Sequence, residues 1–195
     1  MFLKNLLYCL NQNYDLLFIE ETSITLKSCP HYGWGLKRAK KSVPCGPKYS
    51  NYSVIAAITT DKFLGCQVIK GGVKKEDYLS FIYRLIRSYS FNVTVQHLIV
   101  FADNASVHHI KMVKENLDSK VTLLYNAAYS PMLNPMEEFF SKFKKLLRKA
   151  DNKNEVELIR SIQDIIHRFS VNDFNGYIKH LLHYIEESLS GNDLF

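Results

Sequence analysis

The sequence is poor in the features that would place it outside the ordinary globular proteins. Only four of its 195 residues are cysteines, Cys9, Cys29, Cys45 and Cys66, and no two form a Cys-x-x-Cys pair. A disulfide framework is therefore excluded as the organising device, and reduced thiols are expected. Cys29, His31 and Cys45 lack the second close-spaced pair that a four-ligand zinc site needs. No apolar run approaches the roughly 20 residues that span a bilayer, so a soluble chain with no membrane partner is expected. The opening MFLKNLLYCL holds one lysine among apolar residues, then gives way to Asn-Gln-Asn without a small-residue cleavage site. It reads as an amphipathic lead-in helix, with a targeting segment as the weaker alternative, and the chain is not expected to be secreted. Internal repeats, low-complexity tracts and a domain linker are also missing.

What remains is one domain's worth of chain with 47% apolar residues, enough to bury a sizeable core. Lys and Arg number 25 against 19 Asp and Glu, a net charge of +6. With a pI near 9.0, the chain leans toward polyanionic partners without identifying them.

Asp15 to Ile19 is a short apolar run of strand length that halts at Glu20-Glu21, so a buried strand is expected to deliver carboxylates to its end. A polar stretch over 27–50 follows. Tyr52 to Thr59 and Phe63 to Ile69 read as an antiparallel hairpin. From Lys75, apolar residues at helical spacing predict a helix to about Ser88, with Glu76 and Asp77 in its first turn. His97 to Phe101 is a second buried strand, ending on Ala102-Asp103-Asn104; a short helix over 108–117 leads to a strand over Val121 to Tyr125. Asn134 and Pro135 form a helix start, after which Met136, Phe139, Phe140, Phe143, Leu146 and Leu147 line one face. Glu155 to Phe169 and Asn172 to Leu189 read as two more amphipathic helices. This order predicts an α/β fold with a mixed sheet, antiparallel first and parallel later, flanked by helices.

If the strands at Asp15 and His97 are parallel neighbours, Glu20 and Asp103 emerge at the same sheet edge, where sites in such sheets form. Glu137, in the first turn of its helix, is a third carboxylate whose ionised form the helix dipole favours. Acidic oxygens of this kind suit Mg²⁺ or Mn²⁺, and two such ions can activate an attacking oxygen and stabilise the leaving one in phosphodiester chemistry. Each acid alone has a plainer reading: strand-end carboxylates often sit in solvated turns, and a first-turn glutamate is often only a dipole partner.

FADNASVHH (101–109) and YNAAYSPMLNPMEEFFSKFK (125–144) resemble the second and third active-site motifs of the mariner-type superfamily of transposases, bacterial insertion-sequence relatives included. FIEET (18–22) resembles the first motif, YGW (32–34) the segment after it, and SVIAAIT (53–59) the second strand. The resemblance implies a ribonuclease H-like fold, divalent-metal catalysis with Mg²⁺ or Mn²⁺ at a two-metal site, and DNA cleavage and strand transfer. It carries the second aspartate onto Asp103 and the glutamate onto Glu137, with Glu138 as the less well matched neighbour.

The match departs from the family in telling places. The first catalytic residue of the family is an aspartate, and Glu20 stands there, its carboxylate displaced by roughly one bond length. Ala128 replaces a common proline, and Leu36 to Lys41 is more basic than usual. Family members carry helix-turn-helix modules ahead of the catalytic domain, and none is expected here. A separate DNA-binding subunit or a homodimer is the expected complement; the alternative is a domesticated, catalytically impaired domain that binds DNA or protein.

Several residues have two readings each. Asn104 and His108 either support the metal site or are ordinary turn and helix-start residues, as His109 is more simply read. Lys144, Lys145 and Arg148 lie near the stripe of Glu137 and face either DNA phosphates or solvent. Lys37, Arg38, Lys40 and Lys41 form a DNA-contacting loop, a nuclear-localisation patch or a chance basic run. Location is expected to be nuclear in a eukaryote and cytoplasmic otherwise. Trp34 stacks on a base or anchors packing.

Overall fold

The computed structural model describes residues 2–12, 14–26, 50–92, 97–103, 121–126, 130–150 and 152–190. Helix α1 (Phe2–Asn11) leads into β1 (Asp15–Thr25), followed by β2 (Asn51–Ile58), β3 (Phe63–Lys70) and α2 (Lys75–Asn92). Strands β4 (Leu98–Ala102) and β5 (Val121–Tyr125) come next, then a 3₁₀ turn at Pro131–Leu133. Helices α3 (Pro135–Lys149), α4 (Glu155–Ile166) and α5 (Val171–Leu189) complete the described chain.

The five strands form one sheet in the order β3-β2-β1-β4-β5. β1 and β3 run antiparallel to β2, while β4 is parallel to both β1 and β5, so the expected mixed sheet is present. The hairpin between β2 and β3 turns on Thr59, whose Oγ1 accepts from the Lys62 N–H at 3.1 Å and donates to Asp61 Oδ1 at 2.6 Å. Such side-chain to backbone bonding closes a turn that carries no glycine.

One boundary differs in a way that matters. β1 does not stop at Glu20: it runs on to Thr25, pairing with β2 out to Thr25↔Asn51. Past Ile19, buried Thr22 and Ile24 alternate with exposed Glu21, Ser23 and Thr25, the pattern of a strand with one covered face. The apolar run ends earlier because only its first half is covered on both faces. Pairing with β4 ends at Ile19↔Ala102, so β1 outruns its parallel neighbour from Glu20 onward.

Side chains alternate across the sheet, and the core divides accordingly. Leu16, Phe18 and Ile24 of β1 join Ile99 and Phe101 of β4 beneath α1, α3, α4 and α5. Leu17 and Ile19 join Val100 and Ala102 beneath α2, against Tyr78, Phe81 and Ile82. On the first face Phe139 is a hub: its ring centroid lies 5.7 Å from Phe63, 5.9 Å from Phe143 and 4.7 Å from Phe169. Helix α4 ends at Ile166, three residues before the expected Phe169, because Phe169 must leave the helix to meet Phe139 and Phe174. Among the described residues, no helix is long and apolar enough to cross a membrane.

Candidate active site

Glu20 belongs to the same face of β1 as Phe18 and Thr22, which turns it toward α3; Glu21, one residue on, is exposed on the other face. Asp103 follows β4 directly, one step beyond the last pair Ile19↔Ala102, so strand register carries both acids to the same place. Glu137 comes from the first turn of α3, whose start is built by Asn134 and Pro135. Asn134 Oδ1 accepts from the Met136 N–H at 3.1 Å, and Pro135 occupies the first turn, where a missing N–H costs nothing. Buried Met136, Phe139, Phe140, Phe143 and Leu147 pin the helix to the sheet and leave Glu137 on its open side.

The three acids interact. Burial pushes the Glu20 carboxyl up to about 8, and the charges of Glu137 and Asp103 add to that effect. A hydrogen bond from Asn134 Nδ2 to Glu20 Oε2, at 3.1 Å, and the Lys144 ammonium act in the opposite direction without overcoming it. Glu20 behaves as a buried carboxyl whose neighbours add more negative charge than positive. Among the described residues, no three His, Cys, Asp or Glu side chains lie close enough together to hold one ion.

Glu138 is set apart from the cluster. Both its oxygens lie within 3.0 Å of His180 Nδ1 on α5, which binds it to the neighbouring helix. The adjacent glutamates thus have different partners: Glu138 meets His180, whereas the charge of Glu137 bears on Glu20. Lys144 and Arg148 extend the stripe of Glu137 along α3; Lys145 and Arg148 are exposed and Lys144 half-buried. Asn104, His108, His109, Trp34, Ala128, the basic residues Lys37, Arg38, Lys40 and Lys41, and the trio Cys29, His31 and Cys45 lie outside the described residues. Cys9 and Cys66 are free thiols.

Two features of the cluster escape sequence reading. Asn134 is legible as a helix cap, but its bond to Glu20, 114 positions away, is not. Lys144 is legible as a basic surface residue, yet it is also a cation that bears on Glu20. The only hint is chemical: a capping asparagine uses its oxygen and keeps an amide free to donate.

A mixed five-stranded sheet in this order, flanked by helices and carrying acids on β1, after β4 and at the start of α3, defines a ribonuclease H-like fold. The model of the DDE superfamily endonuclease family matches residues 15–159, and the chain belongs to that family. The chain is similar over its whole length to a pre-cleavage Mos1 transpososome structure, with TM-score 0.79 and 16% identity. It spans 61% of that transposase chain, about three fifths. The Mos1 mariner paired end complex with Mn is matched at TM-score 0.79 and 16% identity, over 99% of this chain and 61% of that one. The isolated Mos1 transposase catalytic domain, solved with Raltegravir and Mn, is matched at TM-score 0.74 and 15% identity, covering 99% of this chain and 92% of that one. No curated protein matches by sequence.

Proposed function

We propose that this chain is a divalent-metal-dependent DNA strand-cleaving and strand-transfer domain whose catalytic acids are Glu20, Asp103 and Glu137. The observation that carries the reading is that Glu137 and Asp103 both act electrostatically on Glu20, adding to the burial that pushes its carboxyl up to about 8. A site that concentrates negative charge this way is stabilised by a cation, and its all-oxygen donors fit Mg²⁺ or Mn²⁺. Bound ions would supply Lewis-acid activation of the attacking oxygen and neutralisation of charge at the leaving one. Glu20, Asp103 and Glu137 would hold them, with Asn104 and His108 in support. Lys144, Lys145 and Arg148 continue the same stripe of α3 toward a DNA backbone, and Lys37, Arg38, Lys40 and Lys41 are the second basic group offered to DNA. The transpososome and paired-end structures of Mos1 favour DNA as the partner. A second copy of the chain, or a separate DNA-binding subunit, completes the assembly, and the basic run at 37–41 directs it to a nucleus where there is one.

Labelled DNA incubated with the purified chain and Mn²⁺ is expected to be cut, and Asp103→Ala to abolish cutting. Cleavage that survives Asp103→Ala rejects the site. Glu20→Asp tests the departure from the family pattern: a gain in rate shows that the longer side chain limits catalysis, a loss that its reach to Asn134 is used.

A second reading is favoured by Glu20 itself. A carboxyl raised to about 8 is mostly protonated at neutral pH and is a weak ligand until a metal displaces its proton. In that reading the chain is a domesticated domain that binds DNA or protein without cutting. Metal-dependent turnover by the unaltered chain rejects it.

A further inference from the structure

Asn134 is 5% exposed and sits at the joint between the Pro131–Leu133 turn and α3. Its backbone is fully committed: the N–H donates to the Pro131 carbonyl at 3.0 Å, and the C=O accepts from the Glu137 N–H at 3.1 Å. The orientation of its side-chain amide follows from the partners. The Met136 N–H can only donate, so the atom 3.1 Å from it must be Oδ1. Nδ2 is then directed away from the helix, toward Glu20 Oε2 at 3.1 Å. A flipped amide would oppose donor to donor at the cap and oxygen to oxygen at Glu20.

We propose that Asn134 is the positioning residue for Glu20. One buried amide fixes the first turn of α3 with its oxygen and the carboxylate of β1 with its nitrogen, registering the strand that carries Glu20 to the helix that carries Glu137. The contact uses the length of the glutamate. Removing one methylene withdraws the carboxylate by about 1.5 Å, beyond hydrogen-bond reach of an amide now at 3.1 Å. The consequence for cleavage rests on the nuclease reading of Glu20, but the clasp itself belongs to the fold.

A double-mutant cycle on the full chain in metal-free buffer at about pH 9, where the Glu20 carboxyl is ionised and can only accept, separates these points. Asn134→Asp keeps an oxygen for the Met136 N–H but turns an acceptor toward Glu20. It should lower the unfolding equilibrium constant's favour for the folded state by about tenfold. Glu20→Gln retains an acceptor for Asn134. The double variant Asn134→Asp with Glu20→Gln restores a bond of reversed polarity, the new glutamine amide donating to the new carboxylate, and should recover most of the loss. Should Asn134→Asp alone fail to fold, recovery of folding in the double variant reads the same coupling. Additive effects overturn the proposal. For catalysis, Asn134→Ser keeps a hydroxyl cap and removes the amide; melting should change little while kcat for Mn²⁺-dependent cleavage falls by about tenfold or more with KM unmoved. Native kcat in Asn134→Ser overturns the positioning role. Strong coupling in a chain that cuts no DNA upholds the clasp and rejects the nuclease reading instead.

Discussion

Raising the pH from 5 to 8 in metal-free buffer is expected to destabilise the folded chain through Glu20. In the fold its carboxyl is pushed up to about 8 from an ordinary value of 4.5, by burial first and then by Glu137 and Asp103. Below pH 4.5 the carboxyl is protonated in both states, and its contribution to stability is fully present. Between 4.5 and 8 the unfolded chain releases the proton while the fold retains it, so stability falls with pH; above 8 the loss is complete. The interval corresponds to at most about 5 kcal/mol, at about 1.4 kcal/mol per pH unit. Solvent reaching a side chain that is not fully buried reduces the expected change to about 2–3 kcal/mol. Urea unfolding followed by circular dichroism at pH 5, 6, 7 and 8 measures it, with Glu20→Gln as the reference that keeps every histidine and loses only this titration. The difference between the two proteins should narrow from pH 8 to pH 5. A difference that is flat with pH refutes the claim that burial and its acidic neighbours raise the Glu20 carboxyl. Mn²⁺ should reverse the trend, stabilising the unaltered chain more at pH 8 than at pH 6, because the ion binds the ionised carboxylate and releases its proton.

Other perturbations test the frame around the site. Phe139→Ala removes the ring shared by Phe63, Phe143 and Phe169 and should cost about 3–5 kcal/mol in urea unfolding. Asp173 accepts from the Ser170 N–H and hydroxyl at 2.9 and 3.0 Å and pairs with Lys142. Burial alone would raise its carboxyl, but these bonds outweigh it and hold it below the ordinary value. Asp173→Asn should therefore cost about 1–2 kcal/mol at pH 7, a contribution lost in the native protein only as pH falls below 3.8 through the lowered value. The Tyr177 hydroxyl is buried without a hydrogen-bond partner among the described residues, and burial pushes its pKa upward. Tyr177→Phe should raise the melting temperature by a few degrees, the signature of about 1 kcal/mol of relieved desolvation.

Much of this architecture is readable from local pattern because local chemistry decides it. Asn134-Pro135 marks the start of α3, the residues at helical spacing after Lys75 mark α2, and the Thr59–Lys62 turn divides two strands. What sequence pattern misses is set by distant partners. β1 extends to Thr25 because β2 lies beside it, a neighbour that hydrophobicity at Glu20-Glu21 does not report. Helix α4 ends early because Phe169 belongs to the cluster around Phe139, and Ser170 beside it already caps the next helix through Asp173. For the site, motif resemblance picks out the acids one by one. Their coupling, the diversion of Glu138 to His180 and the bond from Asn134 to Glu20 all need the folded chain.

The two-sided core has a consequence for how this protein can change. Glu20 stands with the Phe18 face of the sheet, whereas Leu17, Ile19, Val100 and Ala102 meet α2 on the reverse. Sheets keep side chains of opposite faces apart, and substitutions that share no partners combine almost independently. The α2 layer can therefore drift, or be engineered for robustness, as ballast insulated from the face that carries Glu20. Variation beneath α3 has no such freedom, since the same packing that keeps the protein folded also aims its carboxylates.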